Sequence, residues 1–223
     1  MGGNLDDLNP ALIHLNDDGS TAFERCQTGK YGRRFYSLAN FLDNRFVICG
    51  GTEKDDVPRN DCEVIDESGS QSFKMISNSR VAASSVKLNE STMWITGGYD
   101  PTIQSFSQHL NSTELITTNG TSAGIDMPIT AIGHCMVQYK PNKILLIGGL
   151  QNYAIMDKTW IIDTSNAFDM KEGPVLNVGR YFHFCGKAED KYGNVIVIVA
   201  GGYVSSTEFL NTTTMKEWIK GKT

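Results

Sequence analysis

An all-β fold assembled from a repeated four-stranded unit is what this sequence predicts, on three observations. Short apolar runs end in Gly-Gly four times, at residues 46–51 (FVICGG), 93–98 (MWITGG), 145–149 (LLIGG) and 197–202 (VIVAGG). The second glycines stand at 51, 98, 149 and 202, so the spacings are 47, 51 and 53 residues, a near-constant period that marks a repeat architecture. Glycine accounts for 22 of 223 residues and proline for only 6. Such enrichment, against a usual glycine content of ~7%, is the composition of many short strands joined by tight turns.

Residues 1–30 are polar and aperiodic and are expected to form a loop-rich lead-in or a truncated upstream element. They lack the basic start and apolar stretch of a secretory signal, and Asp6 stands where a myristoylation pattern needs Ser or Thr. Four units are expected at 31–77, 78–126, 127–172 and 173–223. Each opens on a first strand, read at 82–88 in the second unit and 131–139 in the third. A polar turn (Asp43-Asn44, Asn89-Glu90-Ser91, Pro141-Asn142 or residues 189–194) then leads into the Gly-Gly strand. Its glycines allow the backbone to turn with φ > 0 at the end of a buried strand. A third strand is read at 62–66, 113–116, 159–163 and 207–210, and a weaker fourth is anchored by Phe73, Phe168 and Trp218. Four strands in an up-and-down meander, repeated along the chain, are the blade of a β-propeller.

The order of Gly-Gly, a Glu-bearing strand, an aromatic residue and an Arg before the next unit resembles the kelch motif. The residues that carry the resemblance are Gly50, Gly51, Gly97, Gly98, Gly148, Gly149, Gly201 and Gly202, then Glu63, Glu114, Glu208 and Trp218. Arg34, Arg80 and Arg180 take the arginine position, 16, 17 and 21 residues before their first glycine. The third unit departs from the pattern, with Ala131 near the arginine position and Trp160 where the others have Glu, and the second has no clear aromatic in its last strand. The resemblance spans residues 33–220 and implies a kelch-type β-propeller. Because such propellers close with six or seven blades, the four blades are expected to belong to a larger ring, with apolar faces at its ends.

Charge and length bound the function. With 25 acidic against 20 basic residues the net charge is -5, which argues against a general nucleic-acid binder. No apolar run approaches the ~18 residues of a membrane-spanning helix. Catalytic motifs are missing from the sequence: it holds no phosphate-binding loop, dinucleotide fingerprint, nucleophile elbow or His-Glu-x-x-His. Asp17-Asp18 and Asp55-Asp56 read as solvated turn carboxylates, and His14 and His109 as solvated loop residues. His134-Cys135 and His183-Phe184-Cys185 recur at similar points of adjacent units and read as repeated packing positions, with a zinc site or a Cys135–Cys185 bridge as minor alternatives. Neither a metal nor a cofactor is expected.

Five cysteines leave an odd one over. Cys49 ends one strand and Cys62 opens the next, so a bridge from Cys62 to Cys49 or to Cys26 is expected, against the alternative of small buried thiols. Four sequons, at Asn89, Asn111, Asn119 and Asn211, fall in turns or at a strand start and are candidate glycosylation sites. The Cys-Gly-Gly pattern, the second Cys and residues 173–185 resemble kelch-like proteins of invertebrates with an extracellular location; the alternative is a cytoplasmic one. The expected function is a non-enzymatic scaffold that binds a protein or glycan through the loops after each Gly-Gly, where Tyr99, Tyr153 and Tyr203 are candidate anchors. Two alternatives are the substrate-recognition propeller of a BTB-cullin ubiquitin ligase adaptor and a fragment of a galactose-oxidase-like copper enzyme.

Overall fold

The computed structural model describes residues 14–15, 21–22, 33–41, 45–53, 56–66, 69–103 and 108–221. Among them there is no α-helix, and the chain is all-β. A short hairpin of β1 (His14–Leu15) and β2 (Thr21–Ala22) comes first. Four antiparallel four-stranded sheets follow. The first is β3 (Ser37–Phe41), β4 (Arg45–Cys49), β5 (Asp61–Asp66) and β6 (Gly69–Met75). The second is β7 (Ser84–Asn89), β8 (Thr92–Thr96), β9 (Thr113–Thr117) and β10 (Thr121–Ala123). The third is β11 (Cys135–Lys140), β12 (Lys143–Ile147), β15 (Thr159–Asp163) and β16 (Asp169–Glu172), with a small hairpin, β13 (Leu150–Gln151) and β14 (Ala154–Ile155), between its second and third strands. The fourth is β17 (His183–Glu189), β18 (Val195–Gly201), β19 (Thr207–Asn211) and β20 (Trp218–Lys220). In each, strands pair in chain order, as a meander does.

Side chains alternate across the second strands, and in β8 and β12 the two faces meet two different sheets. Val47, Cys49 and Val64 of the first sheet pack on Met93, Ile95 and Ile116 of the second. The other face of β8, with Trp94, packs on Ile144, Leu146, Trp160 and Ile162 of the third. Leu145 and Ile147, from the opposite face of β12, meet Val197, Val199, Leu210 and Trp218 of the fourth. The second and third sheets are thus covered on both faces. On the far face of the fourth, Ile198, Phe209 and Ile219 lie in one cross-strand row, and Ile219 remains 47% exposed.

The first strands begin later than the sequence reading placed them. Ala82 and Ala131, read as strand residues, lie outside β7 and β11. The residue after each arginine pair or its equivalent turns with φ > 0, at Phe35 (54°), Ala82 (56°), Gly133 (59°) and Phe182 (51°). These four form a ladder across the sheets: Phe182 N–H donates to Gly133 O (2.8 Å), Gly133 N–H to Ala82 O (2.8 Å) and Ala82 N–H to Phe35 O (2.9 Å). Phe73 and Trp218 lie in fourth strands, whereas Phe168 sits in the turn before β16 with φ 57°. The third strands stand where they were expected. The Asp43-Asn44 turn, Asp17-Asp18, Asp55 and Cys26 lie outside the described residues.

At the sheet junctions the second glycine of one sheet donates to a carbonyl of the next, Gly51 to Arg80 O, Gly98 to Ala131 O and Gly149 to Arg180 O, each at 2.8 Å. Gly148 shows why glycine is needed: its φ is +56°, and a Cβ there would press into the Arg180 carbonyl. Gly201 has a similar φ of +71° but nothing within 4 Å of such a Cβ.

Candidate functional site

The motif residues do structural work first. Arg180 and Glu208 are fully buried and paired at 2.7 Å, and Arg180 also donates to the carbonyls of Gly201 (3.2 Å) and Ser206 (2.8 Å). Burial alone would raise the Glu208 carboxyl, but hydrogen bonds from Arg180 and Asn177 outweigh it and hold it below its ordinary value. Arg80 repeats the pattern with Glu114 at 3.0 Å and with the Gly97 and Ser112 carbonyls. In the first sheet Arg33, rather than the expected Arg34, holds this place: it is buried, pairs with Glu63 and Asp61, and donates to Gly50 O. Arg34 is displaced because its own backbone bridges Thr52, and its side chain meets the exposed Asp56 at 2.8 Å. The spacing carried that signal, since Arg33 and Arg80 both stand 17 residues before their first glycine. Ala131 and Trp160 of the third sheet dispense with charge on both sides of the pair.

Cys49 and Cys62 are direct partners in the β4–β5 register and form a disulfide. A second disulfide, Cys135–Cys185, joins β11 to β17 with Cα atoms 6.0 Å apart and so links the third sheet to the fourth. Beside it lie two buried histidines. His134 Nε2 hydrogen-bonds Thr96 Oγ1 at 2.8 Å, and burial followed by the repulsion of His183 lowers its pKa to about 3. His183 has both ring nitrogens without a partner, and burial together with Arg180 lowers it to about 4. Among the described residues no three His, Cys, Asp or Glu side chains are grouped as metal ligands.

Exposed aromatic side chains gather on the loop edge, while Tyr192, 76% exposed, lies in the β17–β18 turn on the opposite edge and Phe184, 63% exposed, lies within β17. Tyr203, 71% exposed, stacks on Tyr181 with ring centroids 4.3 Å apart and planes 18° from parallel. Tyr181 meets Phe182 at 5.2 Å, and Phe182 meets Phe35 at 5.4 Å, so four rings form one chain from the fourth sheet to the first. Phe35 is 50% and Phe182 44% exposed. Tyr153, 78% exposed, stands apart against the half-buried His109, with ring centroids 4.7 Å apart. Tyr99 is half-buried and tied by backbone bridges to Val81 and His109, a structural position more than a presented one.

The sequence reading missed Phe35, Tyr181 and Phe182. Their signal was alignment on the arginines: RRF at 33–35 and RYF at 180–182 place Phe where the other units have Ala82 and Gly133. A bulky residue with φ > 0 is a strained choice where a small one suffices. Burial does not compensate here, and such strain concentrates where function requires it.

In a meander the turns joining first to second and third to fourth strands share one edge, opposite the loop edge. Asn89, Asn119 and Asn211 lie on the turn edge, in or beside the β7–β8, β9–β10 and β19–β20 turns. Asn111 lies on the loop edge, just before β9. No family model matches the chain, and no curated protein matches it significantly.

Proposed function

We propose that the four sheets are kelch-type propeller blades and that the chain is a non-enzymatic scaffold binding a protein partner through its loop edge. The observation that carries this reading is the chain of rings Phe35–Phe182–Tyr181–Tyr203. Interfaces are anchored by clustered aromatics that offer area at little conformational cost, and an exposed apolar patch on a rigid sheet is where such a contact forms. The ladder through residues 35, 82, 133 and 182 fixes the base of this surface. The setting is extracellular. Two disulfides are compatible with an oxidising compartment, which supports this setting over a cytosolic ligase adaptor.

The test is affinity capture from extracellular fluid of the source organism with three immobilised forms: wild type, Phe182→Gly/Tyr203→Ser, and the turn-edge variant Lys191→Glu. Phe182→Gly relieves a φ > 0 phenylalanine, so the fold is expected to survive, as thermal melting will show. A protein held by wild type and Lys191→Glu but lost from the aromatic variant supports the reading. Equal retention on all three refutes it.

A further inference from the structure

We infer that the turn edge of the second and fourth sheets is a glycan-bearing edge, N-glycosylated at Asn89, Asn119 and Asn211, while Asn111 on the loop edge stays unmodified. The inference rests on the extracellular reading above. Its first support is the local geometry of the carboxamides. Asn89 Oδ1 accepts hydrogen bonds from Ser91 N–H (2.9 Å) and Ser91 Oγ (3.0 Å), and Asn211 Oδ1 accepts from Thr213 N–H (2.8 Å). In both, the turn engages the oxygen and leaves Nδ2, the atom that takes the sugar, without a partner among the described residues. Asn119 is exposed in its turn beside Gly120, which has open space around it. The hydroxyl-bearing residues Ser91, Thr121 and Thr213 are all exposed, although Thr121 Oγ1 donates to Met75 O (3.0 Å) and Thr213 Oγ1 to Asn194 Oδ1 (3.4 Å), so their exposure is what distinguishes them.

Asn111 has the reverse arrangement. Its Nδ2 donates to Met127 O at 3.2 Å. Its sequon hydroxyl belongs to Thr113, which is 2% exposed and donates to Ile125 O at 2.9 Å. Its nitrogen is engaged and its sequon hydroxyl is buried, which holds for none of the other three.

The donor is a polyprenyl-pyrophosphate-linked oligosaccharide, which the exporting cell supplies. A bond forms between Asn Nδ2 and the anomeric carbon as the bond from that carbon to the pyrophosphate oxygen breaks. Polyprenyl pyrophosphate leaves and Nδ2 loses one proton to solvent, with no change of oxidation state. Bulky hydrated chains on this edge leave the aromatic edge as the bare approach for a partner.

The full chain, exported from animal cells behind a cleavable signal, is treated with peptide N-glycosidase in heavy-oxygen water, and its peptides are sequenced by mass spectrometry. Both intracellular and secreted pools are read, so retention in the cell does not remove the signal. Heavy aspartate is expected at 89, 119 and 211, with ordinary asparagine at 111. Absence of label at any of the three, or label at Asn111, overturns the inference. Because export is imposed, the assay reads the sites alone, and the binding reading stands or falls separately on the Phe182→Gly/Tyr203→Ser capture.

Discussion

Three glycine-to-alanine exchanges separate backbone strain from sheet-to-sheet crowding. Gly148 and Gly201 share a left-handed φ, +56° and +71°, so alanine at either carries the same conformational cost of about 1–2 kcal/mol. At Gly201 nothing else opposes the new methyl. At Gly148 the methyl meets the Arg180 carbonyl, the same atom that accepts the Gly149 N–H at 2.8 Å. Relief requires the fourth sheet to shift away from the third and that hydrogen bond to lengthen. Leaving a buried backbone pair unmade adds about 1–3 kcal/mol. Gly148→Ala is therefore expected to cost about 2–5 kcal/mol and Gly201→Ala about 1–2. Gly120, with no positive φ and no neighbour within 4 Å, is the control. Gly120→Ala is expected to be neutral or to stabilise by up to about 1 kcal/mol through the unfolded chain. Urea titration of the three variants reads the order, and a domain of this size should show about 2–4 °C in Tm per kcal/mol. Equal losses at Gly148 and Gly201 would refute the argument, because strain alone would then account for both.

Removing one partner of a buried pair strands the other, so Arg180→Met is expected to cost about 3–5 kcal/mol by chemical denaturation. Arg180→Met with Glu208→Leu should cost less than the single change, since the third sheet holds Ala131 and Trp160 at these places without any charge; a double variant as costly as Arg180→Met alone, or more so, contradicts this. Acid sensitivity follows from the histidines. Their folded pKa values, about 3 for His134 and about 4 for His183, lie below the unfolded value of 6.5, so the unfolded chain binds more protons as pH falls from 6.5 toward 4. Stability is thus full above that window and is lost through it, with a slope of at most about 2.7 kcal/mol per pH unit for two protons. His183→Gln should roughly halve the slope in pH-dependent urea titrations, and an unchanged slope assigns the loss to carboxylates. Thiol labelling of native-source protein without reductant should spare Cys49, Cys62, Cys135 and Cys185; labelling of Cys135 and Cys185 would place both as free thiols.

The sequence was legible wherever period and glycine coincide. The four Gly-Gly strands are β4, β8, β12 and β18; β8 and β12 are packed on both faces and so are apolar along their length, and β4, β8 and β12 end where only glycine clears the next sheet. The facing of Cys49 and Cys62 followed from their places at the ends of paired strands. Reading Arg34 for Arg33 was a one-residue slip in a doublet, which matters because successive side chains point opposite ways. Cys135–Cys185 was undervalued because its partners lie 50 residues apart, and nothing local says that two first strands approach. The ring chain was hidden for a similar reason: Phe35 and Phe182 meet only through the stacking of whole sheets.

The Cys135–Cys185 bond also has a mechanical consequence. When the chain is pulled from its two ends, tension bypasses everything between the bridged sulfurs. A separation of 50 residues corresponds to ~170 Å of contour that cannot pay out while the bond is intact, and the 13-residue Cys49–Cys62 loop withholds ~45 Å more. The strands β12, β15 and β16 all lie inside the longer loop. A stretched molecule therefore extends through its first two sheets and through β18, β19 and β20 of the fourth, while β12, β15 and β16 stay out of the line of force until reduction of Cys135–Cys185 releases their length.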